Sequence, residues 1–68
     1  MFITKLKYLR LERGWTLAQL ASKAEVSLST ASRWERASVK PHLRGEWVLN
    51  KIFDFPITEL FEMKEIKF

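Results

Sequence analysis

The sequence predicts an all-α fold, a compact bundle of about five short helices, with room for a short extended C-terminal arm. Three observations predict it. Apolar residues recur at helical spacing in short successive segments, and Ser, Thr, Gly and Pro stand between them where helices start and stop. The composition, 47% hydrophobic and 13% aromatic without a cysteine, calls for a core built by packing alone. Residues 1–68 read as one domain, because no repeat, low-complexity tract or linker divides them. A chain of this size buries only about 60% of the surface its unfolded form exposes, so its margin of stability is expected to be thin.

Each element has its own local signal. "TKLKYLRLERG" carries Leu6, Leu9 and Arg13 at helical spacing, with Thr4 as cap and Gly14 as terminator. In "WTLAQLASKAE", Thr16 and Gln19 form a capping box, and Trp15 and Leu20 occupy the two places of a hydrophobic staple. Helix two therefore starts at Leu17 and stops near Ala24. Ser27 caps helix three, which runs to roughly Arg36. Two helices of about eight residues joined by so short a turn cross steeply. Ala21 and Ala31 let them approach, while Leu17, Leu20, Val26 and Trp34 fill the wedge. "ASVKPHLRG", residues 37–45, reads as a loop, with Pro41 disfavouring helix at Lys40 and Gly45 loosening the residues after it. "EWVLNKIFDF" is helix four, with Trp47, Val48, Ile52 and then Phe55 as its buried set and Pro56 as its end. "ITELF" gives a short helix five. "EMKEIKF" alternates weakly at Met63, Ile66 and Phe68, an arm able to pair with "MFI" at the start.

Charge is uneven along this frame. The net charge is +4, and residues 1–45 hold nine Lys/Arg against three Glu, whereas residues 46–68 hold three Lys against five Asp/Glu. The first two-thirds therefore suit a polyanionic partner. Helix three sharpens this: Leu28, Ser29, Ser32, Arg33 and Arg36 share one face, while Thr30, Ala31 and Trp34 point the other way. Two hydroxyls, two guanidiniums and one leucine make a face too polar for a core seam and too poor in carboxylates for an ordinary solvated helix. It suits the DNA major groove, where Arg pairs with guanine O6 and N7, Ser bonds several base edges and Leu touches the thymine methyl. Other classes lack their chemistry. His42 is the only histidine and has no Cys or clustered carboxylates to join it, so no enzyme activity, metal or cofactor is expected. No run is long and apolar enough for a membrane span or signal peptide, and the apolar side of helix one is needed for the core, so no membrane partner is expected.

The run from Leu6 to Pro41 resembles the Cro/cI-type helix-turn-helix family, the lambda-repressor-like fold of phage repressors and many small bacterial regulators. The matching features are Arg10 in "LKYLRLERG", "TLAQLA" with Leu20 and Ala21, "VSLSTAS" with Val26 and Ser27, "RWE" with Trp34 and Glu35, and Pro41 after a short basic loop. The resemblance places the helix-turn-helix unit at about 16–36. It implies base contacts from Leu28, Ser29, Ser32 and Arg33, phosphate contacts from Ser27, Arg36, Lys40 and Arg44, and a structural pair between Arg10 and Glu35. It also implies a sequence-specific regulator that binds double-stranded DNA as a two-fold homodimer and blocks promoters, in a bacterial cytoplasm or a phage-infected host, without a small-molecule ligand. Phe61, Met63, Ile66 and Phe68 present apolar groups that need cover and mark the expected dimer surface. The chain departs from the family where Leu17 and Leu28 replace common glutamines, and where Glu25 and Ala37 replace glycines. A left-handed Glu25 would cost roughly 1 kcal/mol. Two other readings are the DNA-binding antitoxin of a toxin pair, with the toxin on the apolar tail, and an interaction adaptor that has lost DNA affinity, which Leu17 and Leu28 favour.

Overall fold

The computed structural model describes residues 2–66, in the order β1 (Phe2–Thr4), α1 (Lys5–Glu12), α2 (Leu17–Ala24), α3 (Leu28–Glu35), α4 (Leu43–Phe53), α5 (Ile57–Leu60) and β2 (Met63–Glu65). The five expected helices are present. The extended arm is also real: β2 pairs antiparallel with β1 in the register Phe2↔Glu65, Ile3↔Lys64 and Thr4↔Met63. Thus the fold adds a two-stranded ribbon to the helices, and Ile3 turns from that ribbon into the core.

Local chemistry sets the first three helices. Thr4 accepts from the Lys7 amide at 3.2 Å and so starts α1 directly off the strand. The capping box of α2 forms in both directions, with Gln19 N–H donating to Thr16 Oγ1 at 3.1 Å and Thr16 N–H donating to Gln19 Oε1 at 2.7 Å. Ser27 caps α3 in the same manner, accepting from the Thr30 amide at 3.2 Å. The ends are equally regular. Each of the three helices closes on a left-handed residue, at Gly14, Glu25 and Ala37, with φ of 72°, 58° and 56°. In each case the following amide reaches back five residues: Trp15 to Arg10, Val26 to Ala21 and Ser38 to Arg33. These are Schellman motifs, which satisfy carbonyls that would otherwise be orphaned at the helix end. Only the first uses the residue whose missing Cβ makes that conformation easy.

The core gathers between α1, α2, α3 and α4, with Leu60 added from α5. Leu6, Leu9, Leu20, Ala21, Ala24, Ala31, Trp34, Val48, Leu49, Phe53 and Leu60 form one buried cluster. Ala21 and Ala31 are both buried where α2 and α3 meet, as expected of small residues at that contact. Leu17 and Val26 pack against the cluster only in part.

Helix α4 departs from expectation at both ends and in its buried set: it closes at Phe53 on left-handed Asp54, so Phe55 and Pro56 lie beyond it. It begins at Leu43, inside the stretch expected as a loop, and Gly45 lies within its first turn. A Cβ on Gly45 would sit 2.8 Å from Pro41 Cβ and 3.2 Å from Trp34 Cζ2, so this glycine permits close packing and does not loosen the chain. The buried set also differs. Val48, Leu49 and Phe53 are buried, Ile52 and Phe55 are half-buried, and Trp47 is 61% exposed. Positions 48, 49, 52 and 53 share one helical face, while 47 falls on the opposite side with Leu43. The size of the indole suggested core; its phase puts it outside.

Candidate nucleic-acid interface

The outward face of α3 is built from behind. Ala31, Trp34 and Glu35 are buried against the body of the protein, and Thr30 is half-buried. Turning those positions inward leaves Leu28, Ser29, Arg33 and Arg36 exposed and Ser32 half-buried. Four of the five residues expected on this face are therefore fully outward. Leu28, at 54% exposure, stands at the start of the helix beside the two serines.

Two contacts from the N-terminal segment fix the last turn of α3. The Arg10 guanidinium forks onto the Glu35 carboxylate, with Nε donating to Oε2 and Nη2 to Oε1 at 3.1 Å, and its Nη1 donates to the Trp15 carbonyl at 2.8 Å. Both side chains are about nine-tenths buried. Such a pair adds little net stability because desolvation offsets its attraction, but its planar fork admits one relative placement of α1 and α3. The second contact was not visible in the sequence. Thr4, fully buried, donates its hydroxyl to the Glu35 carbonyl at 2.9 Å while still capping α1. No local pattern announces a bond across 31 positions; only the fold brings the two groups together.

The expected phosphate contacts occupy different situations. Arg36 ends α3, Lys40 lies in the loop 37–42, and both are exposed. Ser27 is exposed, but its hydroxyl already serves the cap and donates to Thr30 Oγ1 at 2.9 Å. Arg44 stands on the first turn of α4 and reaches Glu25 at 3.4 Å, in an ion pair open to solvent on both sides. That pair crosses from the α2–α3 turn to α4, beside a groove whose floor includes Val26, Trp34, Pro41 and Val48. At the other end of the molecule, Phe61 and Ile66 are half-buried and Met63 is exposed on β2, while Phe68 lies outside the described residues.

A family model described as Helix-turn-helix matches residues 6–44, more than half of the chain. The chain belongs to the Cro/cI-type helix-turn-helix family. The matched stretch holds α1, α2, α3 and the start of α4, and a member of this family is a DNA-binding regulator. No curated protein and no solved structure matches the chain at a significant level.

At the α2–α3 turn, where the family resemblance places a glycine, this helix-turn-helix chain carries Glu25. Glu25 adopts the left-handed conformation itself. The glutamine that the family commonly carries at the first position of α2 is replaced by Leu17, which turns partly into the core. Among the described residues no three His, Cys, Asp or Glu side chains gather as a metal site, and no helix is long and apolar enough to cross a membrane.

Proposed function

We propose that α3 enters the major groove of double-stranded DNA and reads a specific site, with Arg33 as the principal base-reading residue and Leu28, Ser29 and Ser32 beside it. The observation that carries this reading is the division of α3. Its inner side is clamped through Glu35, and its outer side presents hydroxyls and guanidiniums to solvent. A rigid rod with a bare polar face is what groove recognition needs, because every loosened degree of freedom would have to be frozen on binding.

Arg36 and Lys40 hold phosphates on either side of that groove. Arg44 joins them by releasing Glu25, an exposed pair worth at most about 1 kcal/mol. Ser27 contributes at the start of α3, where the helix presents its free amides. The protein acts as a two-fold dimer on half-sites about one helical turn apart and represses by occupying promoters, without a cofactor.

The test is a selection from random duplexes with mobility shifts on the selected site. A two-fold symmetric motif is the expected outcome. Arg33→Ala is expected to relax preference at one base pair in each half-site, whereas Lys40→Ala weakens cognate and random DNA alike. Equal losses from both substitutions on both kinds of DNA would overturn the assigned roles.

A further inference from the structure

We propose that a second copy of this chain docks on α4 through Leu43 and Trp47, with the two α4 helices lying parallel about a two-fold axis. The proposal extends the two-fold reading of DNA binding given above and rests on it for its purpose. Leu43 is 83% exposed, and Trp47, one turn further along, is 61% exposed. Between them and Ile57 runs an open groove of about 340 Å³, lined also by Glu46 and Asn50. The same face thus offers both a projecting leucine and a hollow beside it, as an isologous contact between identical surfaces requires.

The flanks of this face decide the occupant and its direction. Leu43, Trp47 and Asn50 keep a three-four spacing along the centre of the outward side, with Glu46 on one flank and Lys51 on the other. When two parallel copies face each other across such a seam, the flank bearing Glu46 lies against the flank bearing Lys51 of the second copy, twice by symmetry. Antiparallel packing about a two-fold axis would instead set Lys51 against Lys51 and Glu46 against Glu46. Lys51 now rests over its own Trp47 ring at 4.7 Å, so its charge is already at the rim of the seam. A face carrying opposite charges on its two sides complements itself.

At the C-terminal end, Met63 alone of the described residues expected as a dimer surface is exposed. Phe61 packs against the core and Ile66 is half-buried. The α4 seam is also small. An aromatic side chain buries roughly 150–250 Å², so one tryptophan and one leucine fall well short of the approximately 800 Å² per partner of a standard interface. The dimer is therefore weak in free solution and strengthened when two copies occupy adjacent half-sites.

The chain has no cysteine, which makes cross-linking a direct test. In the full chain, Leu43→Cys is expected to form a disulfide-linked dimer on mild oxidation, because a position at the centre of a parallel seam meets its own copy. Phe2→Cys and Met63→Cys, at 63% and 57% exposure, are the controls and are expected to stay monomeric. Charge reversal by Glu46→Lys should slow the Leu43→Cys cross-link several-fold, and adding Lys51→Glu should restore it. Absence of the Leu43→Cys dimer up to millimolar protein, a faster cross-link from Met63→Cys or Phe2→Cys, or no rescue by the double reversal would overturn the proposal. These measurements use protein without DNA, so their failure leaves the groove-reading role of α3 standing, while a failed mobility shift would bear on that role alone.

Discussion

Ala37 ends α3 in a conformation with φ of 56°, where its Cβ crowds the backbone. Replacing it by glycine relieves that crowding, and Ala37→Gly is expected to raise stability by about 1 kcal/mol, read as a higher denaturant midpoint with unchanged slope. Glu25→Gly relieves the same crowding but removes the partner of Arg44, so its gain should be no larger. The Arg10–Glu35 pair behaves oppositely. Removing one partner leaves a buried charge alone, and Arg10→Met is expected to destabilise the protein by about 3–5 kcal/mol, whereas Arg10→Met with Glu35→Leu should recover most of that loss. Tyr8, the chain's only tyrosine, has its phenol pKa raised by hydrogen bonding to Glu12, then by that carboxylate's charge and by desolvation. Tyrosinate absorbance should therefore appear at higher pH than for a free phenol, and Glu12→Gln should bring it back down. Because the folded pKa lies above the unfolded one, any contribution to stability is full below the unfolded value and lost as pH rises through the folded value.

The helices differ in how much of themselves the chain announces locally. Helices α1, α2 and α3 start where Thr4, Thr16 and Ser27 stand, since an N-cap is a bond between residues three positions apart. Helix α4 has no side-chain cap at His42, and its early start depends on Pro41, Trp34 and Gly45 meeting in space. Gly45→Ala tests this. In an exposed helix the change would stabilise by up to about 1 kcal/mol, but here the added methyl meets Pro41 at 2.8 Å, and a lower thermal midpoint is expected. The outward face of α3 was legible from its period, yet the clamp that orients it was only half legible. Arg10 and Glu35 could be matched through family resemblance, whereas the Thr4 hydroxyl on the Glu35 carbonyl could not. Thr4→Val keeps the volume and removes both bonds. It is expected to weaken folding by roughly 1–3 kcal/mol and, in the surviving folded fraction, to reduce discrimination between cognate and random DNA.

The described residues span 33 × 22 × 22 Å, and the eight residues of α3, about 12 Å long, cover about half of the shorter dimension. If Arg36, Lys40 and Arg44 each neutralise a phosphate, log affinity plotted against log salt for one copy should have a slope near −3, and each alanine substitution should reduce its magnitude by about one. A flat plot would remove the phosphate roles. The sequence by itself determined the helix count, the first three helix starts, the polar flank of α3 and the basic character of the first two-thirds, because capping, period and charge act over a few neighbouring residues. Tertiary structure alone decided that Thr4 and Arg10 grip the same turn of α3, that Gly45 sits under Pro41, and that Trp47 faces outward beside Leu43. Those outcomes depend on groups far apart in the chain or on helical phase within a packed body, where position outweighs residue type.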